Sequence, residues 1–340
     1  MARQQGSKVR APTMADVARL AKVSPQTVSR VLNDYEFIKP HTRDRVLQAI
    51  DSLDYRPNMA ARTLATSRSR TIGVIATDYL SYGPATALWG VEQAAREAGY
   101  GVSIVSLRES NYRTMTEALE RLASQSVEGV VMIAPQDATA HAAFVSFDEI
   151  PVVTLSSYES GVHKPIMLDS AEGSRIATRH LIDLGHRVIR HVSGPAGFTV
   201  SESRVQGWRD AASEARLVAT EPLVGDWTAE SGYVVGKELA RDHRATAVYV
   251  ANDRMAQGVL LALHEAGRRV PEDFSVVGFD DVPEAAYLIP PLTTIRQDFT
   301  ALGRRCIEAV LALINGEPPL EPEPLIPNLI VRQSTAPPLQ

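Results

Sequence analysis

Pro12-Thr13-Met14-Ala15-Asp16-Val17-Ala18-Arg19-Leu20-Ala21-Lys22-Val23-Ser24-Pro25-Gln26-Thr27-Val28-Ser29-Arg30-Val31-Leu32-Asn33 is the stretch from which the rest of the chain can be read. Thr13 with Asp16 three residues on forms an N-cap pair for a helix through about Ala21, with Val17 and Leu20 facing inward. Ser24 followed by Pro25 repeats the start signal, because proline in the first helical position sacrifices no intrahelical bond. A second helix is therefore predicted over 25–32, its Val28, Val31 and Leu32 closing a small core with Val17, Leu20 and Val23. A third, about 40–53, adds Val46, Leu47, Ile50 and Leu53. Gln26, Thr27, Ser29, Arg30 and Asn33 are left outside. Two short helices with a tight turn, the second presenting hydroxyls, amides and an arginine, suit a protein that reads base edges in the major groove.

Charge agrees with that reading once it is resolved along the chain. The 340 residues carry a net charge of -5, but residues 1–70 hold 13 Lys and Arg against 6 Asp and Glu, and the remainder holds 22 against 34. A basic head on an acidic body confines the attraction for phosphates to one end. The single cysteine, Cys306, excludes a disulfide framework within the chain and suits a reducing compartment. Residues 1–12 are polar and basic, and no window approaches the apolar length of a membrane span, so a cytoplasmic protein is expected.

The head closes on Arg56-Pro57-Asn58-Met59-Ala60-Ala61-Arg62-Thr63-Leu64-Ala65. This is a proline-opened helix former too brief to stand alone, so it needs a partner, and Ser67 to Arg70 after it reads as a linker. The spacing D-V-A-x-x-A-x-V-S-x-x-T-V-S-R-V-L-N, followed by Y-R-P-N-x-x-A-R-x-L, resembles the head of the lac and galactose repressor family. The resemblance implies that Pro25, Gln26 and Arg30 face base edges while Ser24, Thr27, Ser29 and Asn33 contact phosphates, with Thr13 a further DNA-binding residue. It also implies that the segment carrying Asn58, Ala61 and Leu64 pairs with that of a second subunit in the minor groove, with Leu64 wedged between base pairs. Ser24 and Thr27 also suit helix capping, and the two roles are compatible. Pro25 departs from the polar or aromatic residues common at its position, and Lys39 from the small hydroxyl residue that usually opens the third helix.

From Thr71 onward the pattern is strand, then helix, repeated. Strands are predicted at 71–76, 101–106, 129–134 and 152–155, with helices at 85–98 and 114–125. A second run has a helix at 171–184, strands at 188–193, 247–251 and 275–279, and helices at 202–215 and 254–266. Such alternation predicts an α/β body of parallel sheets covered on both faces. The expected architecture is an all-α helix-turn-helix head (1–56), a hinge helix and linker (57–70), and two doubly wound parallel-sheet subdomains with a cleft between them (71–340). The subdomains would be about 71–168 with 298–326, and 169–297 with 327–340; segment 292–295 and helix 299–315 bring the chain back to the first half. The same resemblance implies a periplasmic-binding-protein-like body.

No catalytic, cofactor or metal motif is found. The stretch 232–238 is one residue short of a phosphate loop and carries Glu238 where the magnesium-binding hydroxyl would stand, so an ordinary helix is expected. The eight histidines form no H-E-x-x-H pair, and His186 reads as a structural residue at a helix-to-strand turn. Asp280-Asp281 follows a strand without a nearby nucleophile, which favours binding over acid-base chemistry. The chain is expected not to be an enzyme.

Ligands of open parallel sheets sit at the carboxyl ends of the strands. There the family resemblance implies an effector pocket made of Tyr82, Gly83, Pro84, Ser156, Tyr158, Arg204, Trp227, Asn252, Asp280 and Phe299. Arginine, asparagine and aspartate suit neighbouring hydroxyls, and aromatics cover the apolar face of a sugar ring. Trp227 and Phe299 also suit a core, and Asp253 a helix cap. The stacking surface favours a glycoside or small oligosaccharide; a purine or other small metabolite acting as co-repressor is the alternative. The resemblance thus implies a homodimeric repressor that holds a palindromic operator and is released by a sugar. The ending Pro337-Pro338-Leu339-Gln340 shows no leucine heptads, consistent with a dimer. Leu88, Val91 and Ala95 on the helix 85–98 suit either the dimer interface or the core.

Overall fold

The computed structural model describes residues 12–32, 35, 37–56, 68–77, 81–108, 111–133, 150–155, 166–318 and 323–339. Asn33, Asn58, Ala61, Leu64, Ser156 and Tyr158 lie outside the described residues, as does the predicted hinge helix. The chain divides into two compact units, Met1–Ser69 and Arg70–Gln340.

The first unit holds α1 (Met14–Leu20), α2 (Pro25–Leu32) and α3 (Pro40–Ser52). Lys22 takes a left-handed conformation, φ 51°, in the turn between the first two. Val17, Ala18, Ala21, Val28, Val31, Val46, Ala49 and Tyr55 form the core. Leu20 and Leu47, which periodicity places inside, are instead 52% and 49% exposed. The buried stripe of α1 runs through Val17, Ala18 and Ala21, leaving Leu20 at its edge, and α3 turns Val46 and Ala49 inward rather than Leu47. Lys39 offers no side-chain cap to α3, and Pro40 in its first turn provides the start.

In the second unit, β1 (Thr71–Thr77), β2 (Gly101–Leu107), β3 (Gly129–Ile133) and β4 (Val152–Leu155) make a parallel sheet in the order β2-β1-β3-β4. Side chains alternate between its faces. Ile72, Val74, Val131 and Ile133 pack with α4 (Tyr82–Glu97) and the late helix α10 (Phe299–Ile314). Ile75, Val105, Val130 and Met132 pack with α5 (Tyr112–Ser124). Val91 and Ala95 of α4 are fully buried in this core, which settles them as packing residues and removes them from any interface. Cys306 lies in the same core, and burial pushes its thiol up to about 12.

The other half is a six-stranded sheet of β5 (Ile189–Ser193), β6 (Leu223–Val224), β7 (Ala247–Val250), β8 (Ser275–Asp280), β9 (Thr293–Arg296) and β10 (Asn328–Ile330). Their order is β10-β9-β8-β7-β5-β6, with only β10 antiparallel among the described strands. Helices α6 (Ser170–Asp183) and α7 (Thr199–Glu214) cover one face, and α8 (Ala229–Arg241) and α9 (Asp253–Glu265) the other. Segment 292–295 was expected to return towards the first half. It does not: β9 pairs with β8 from Val277↔Thr293 to Asp280↔Arg296, burying Ile295 in the second core, and the return is made by α10 alone. β6, β10 and the 3-10 turn Pro283–Tyr287 are too short for periodicity to announce.

The phosphate-loop-like stretch 232–238 is part of α8. Its glycines serve helix packing, since a Cβ on Gly232 would stand 2.1 Å from the Met255 carbonyl oxygen on α9. Gly232→Ala should therefore force the two helices apart and cost about 1–3 kcal/mol, read as a lowered urea midpoint.

His186 joins three segments. Its Nε2 donates to the Ala336 carbonyl at 2.9 Å, so Nδ1, 2.8 Å from Thr246 Oγ1, accepts from that hydroxyl. The ring thereby ties the last residues of the chain to the second sheet. Deeper in the same half, His191 stacks on Tyr249 at 4.6 Å, tilts against Trp208 at 5.3 Å and donates from Nδ1 to the Tyr249 carbonyl. Burial lowers its pKa to about 3. The unfolded chain protonates this imidazole near pH 6.5, whereas the folded one does so only near pH 3, so His191 contributes stability above pH 6.5 that is lost as pH falls. Buried Asp253 and Asp280, raised to about 8 and about 6, act in the opposite sense. The contribution of His191 is isolated by comparison: the stability gap between the wild type and His191→Gln should narrow from pH 7 to pH 5, measured by denaturant titration at each pH.

Candidate functional site

On the head, Pro25, Gln26 and Arg30 of α2 are exposed and Thr27 and Ser29 half-buried, while Val28 and Val31 anchor the opposite side. Ser24 is the cap of α2: its Oγ accepts from the Thr27 N–H at 3.1 Å and lies 2.9 Å from the Thr27 hydroxyl. Both donors of Thr13, its N–H and its hydroxyl, go to Asp16 Oδ2, at 2.9 and 2.6 Å. These bonds hold the Asp16 carboxyl below its usual range. Any hydrogen bond that Thr13 donates to DNA therefore requires a donor that the helix start already uses.

In the body, Tyr82, Gly83, Pro84, Arg204, Trp227, Asn252, Asp280 and Phe299 come together on one cavity of about 180 Å³. That is room for on the order of ten water molecules, or for a ligand of one or two rings. The cavity lies between the carboxyl ends of the two sheets, where strand-end loops and helix starts from both halves converge.

Local packing explains most of these positions. Gly83 lies close against Phe299, where a Cβ would stand 3.0 Å from Phe299 Cζ, and the Phe299 ring meets Tyr82 edge-on at 6.1 Å. Trp227 has a left-handed backbone, φ 73°, and its ring lies against Gly194, where a Cβ would be 2.1 Å from Trp227 Cζ2. Asn252 sustains that backbone: Nδ2 donates to the Trp227 carbonyl at 3.1 Å while Oδ1 caps α9 through the Met255 N–H at 2.9 Å. Asn252 is thus the cap, and the neighbouring Asp253 is instead buried, accepting from Val282 N–H and Thr294 Oγ1.

Arg204 is the buried centre of the polar side. Its guanidinium lies 3.8 Å from the Phe279 ring centroid and 5.6 Å from that of Trp227, and Nη1 donates to the Ala251 carbonyl. Nη2 stands 3.7 Å from Asp280 Oδ1, and buried Nε has no hydrogen-bond partner among the described residues. Asp280 carries φ 111°, a strained conformation for a non-glycine residue that costs on the order of 1–3 kcal/mol. Asp281 beside it, φ 55°, is clamped by Arg296 Nε at 2.5 Å and Arg332 Nη2 at 2.6 Å. Burial raises the Asp280 carboxyl to about 6, with Arg204 and the Gln297 amide pulling the other way. A paired donor and acceptor, Arg204 and Asp280, thus face one cavity walled by Trp227 and Phe299.

Residues 13–58 match the family described as bacterial regulatory proteins, lacI family, and residues 178–335 match a periplasmic binding protein-like domain. The chain is 32% identical over 325 residues to the lactose operon repressor of Escherichia coli (strain K12), covering 95% of this chain and 90% of that protein. The chain belongs to the lacI family. It is also 34% identical over 330 residues to the HTH-type transcriptional repressor PurR of Pasteurella multocida (strain Pm70), covering 95% and 98%. Among solved structures it is similar to the lac repressor dimer bound to operator and the anti-inducer ONPF, with TM-score 0.86 and 32% identity over 96% of this chain and all of that one. It is also similar to the transcriptional regulator CelR in complex with cellobiose, with TM-score 0.71 and 31% identity over 95% and 99%.

The chain is thus a DNA-binding transcriptional repressor of the lacI family. Several residues of this lacI-family cleft escaped the sequence reading. Gln297 donates to Asp280 Oδ1 at 2.8 Å, and its place directly after β9 is the signal that marks it. Phe198 meets Trp227 edge-on at 6.5 Å, and Ile133, Leu155, Ile166 and Leu302 form an apolar wall from the first half. No sequence signal separates these from ordinary core residues. Among the described residues, none of the helices is long and apolar enough to cross a membrane.

Proposed function

We propose that this repressor is controlled by a sugar: it binds a palindromic operator as a homodimer in the cytoplasm and releases it when a sugar or glycoside fills the cleft. The observation that carries the reading is the pairing of Arg204 with Asp280 beside the Trp227 and Phe299 rings. Vicinal hydroxyls each donate and accept, and a pyranose ring has an apolar face, so one ligand class uses all four groups. The cellobiose in the CelR structure supports the same choice. Ser156 and Tyr158 are assigned to the same pocket.

On the DNA side, Pro25, Gln26 and Arg30 are assigned to base edges, Ser24, Thr27, Ser29 and Asn33 to phosphates, Asn58, Ala61 and Leu64 to the minor groove, and Thr13 to the DNA-binding surface. The effector would draw the two halves, about 71–168 with 298–326 and 169–297 with 327–340, together around itself, and the coupling to DNA is a difference in affinity between the closed and open forms. The test is release of bound genomic fragments from the purified protein, screened against monosaccharides, disaccharides, glycosides and purines. Release by a sugar is expected. Stronger DNA binding in the presence of a purine, with no sugar active, would overturn it in favour of a co-repressor.

A further inference from the structure

Beyond α2 the head carries an arrangement that the DNA-reading assignments do not use. The Tyr35 N–H donates to the Arg30 carbonyl at 3.0 Å, and the Tyr35 carbonyl accepts from Arg43 Nη2 on α3 at 3.2 Å. These bonds fix the Tyr35 backbone to both helices. Its ring then lies beneath the Arg30 guanidinium, whose central carbon is 5.3 Å from the ring centroid. The Phe37 ring packs edge-on against that of Tyr35, with centroids 5.8 Å apart and planes at 64°. Tyr35 is 46% exposed and Phe37 82%, so burial in the core of the head does not account for either ring.

A guanidinium has two kinds of surface. Its flat face stacks on an aromatic ring, and its edge carries the N–H donors. A cation–π contact with Tyr35 engages the guanidinium charge against the ring, and the N–H donors are what grip guanine O6 and N7 together. An arginine free in solution gives up its rotamer freedom on binding; one already held against a ring has less to lose.

We infer that Tyr35, braced by Phe37, is a positioning residue that holds Arg30 in its base-reading orientation and so sets how sharply one operator base pair is discriminated. The inference rests on the base-reading role proposed for Arg30. Arginine reads a base only if its fork arrives in plane with the base pair, and the ring supplies that alignment before DNA is met.

The test uses the full-length protein, an operator selected from a random duplex library, and every single-base-pair variant of it, with affinities from fluorescence anisotropy. Arg30→Ala first locates the base pair that Arg30 reads. Tyr35→Leu, which keeps apolar bulk but removes the ring, should lower discrimination at that same base pair by about two- to fivefold, the range of an exposed cation–π contact. Other positions and the salt dependence should be unchanged, and Tyr35→Phe should restore discrimination. Three results overturn the inference: full discrimination in Tyr35→Leu where Arg30→Ala has lost it, uniform weakening across all sequences, or failure of Tyr35→Phe to rescue. If Arg30→Ala itself flattens no position, the base-reading role fails and the inference falls with it.

Discussion

Arg204→Ala should give a repressor that still binds its operator but is no longer released by the sugar that releases the wild type. Arg204 supplies the donor of the polar side of the cleft, and its removal leaves Asp280 buried without the nearby cation, the Ala251 carbonyl without a donor and the Phe279 and Trp227 rings without the cation beside them. Truncating one member of a buried charge pair costs about 2–5 kcal/mol in binding, so effector affinity should fall by roughly 30-fold to several thousand-fold. The fold should lose about 3 kcal/mol, since Asp280 is left as an uncompensated buried group. Its carboxyl, already raised to about 6 with Arg204 present, should titrate higher still. Arg204→Lys should recover stability better than release, because an ammonium restores charge but not the two-pronged geometry. Calorimetric titration with the releasing sugar and anisotropy on the operator separate the two effects. Release of the Arg204→Ala variant at the wild-type sugar concentration would exclude Arg204 from the pocket.

Arg30→Ala should flatten base preference at one position in each operator half-site. A bidentate arginine contributes about 1–3 kcal/mol of discrimination against the wrong base, so a preference of roughly five- to 150-fold per half-site should vanish, while binding to unrelated DNA weakens only by the loss of one positive charge. The exposed position of Arg30 at the end of α2, whose other face is anchored by Val28 and Val31, means that stability should change little. The decisive measurement is the ratio of affinities for the selected operator and its single-base variants at one fixed salt concentration. An unchanged ratio would remove Arg30 from base reading.

What could be read in advance and what could not differ in physical kind. Ser24-Pro25 starts α2 as expected because a cap and a first-turn proline act within a few residues and need no distant partner. The strands and helices of the body likewise follow the alternation of apolar residues, which is local. Leu20 and Leu47 went outside because the choice of which residue edges a buried stripe is made by the neighbouring helix. β10 and Gln297 were missed for a related reason: three strand residues have no period to detect, and a glutamine near a buried carboxylate is identified only by where the chain brings it.

The same division runs through the whole protein. The sequence by itself determined that there is a basic three-helix head, an α/β body with parallel sheets, and a membership visible in the spacing of the head motif, since all three are written in local patterns of polarity, capping and charge. Only the tertiary structure decided that Val91 and Ala95 are core, that β9 stays with the second sheet, that Asn252 holds the backbone of Trp227, and that Arg204 meets Asp280 across 76 residues of chain with Phe279 and Trp227 around it. Those outcomes depend on burial and on contacts between segments remote in sequence, and such contacts exist only once the chain has closed on itself.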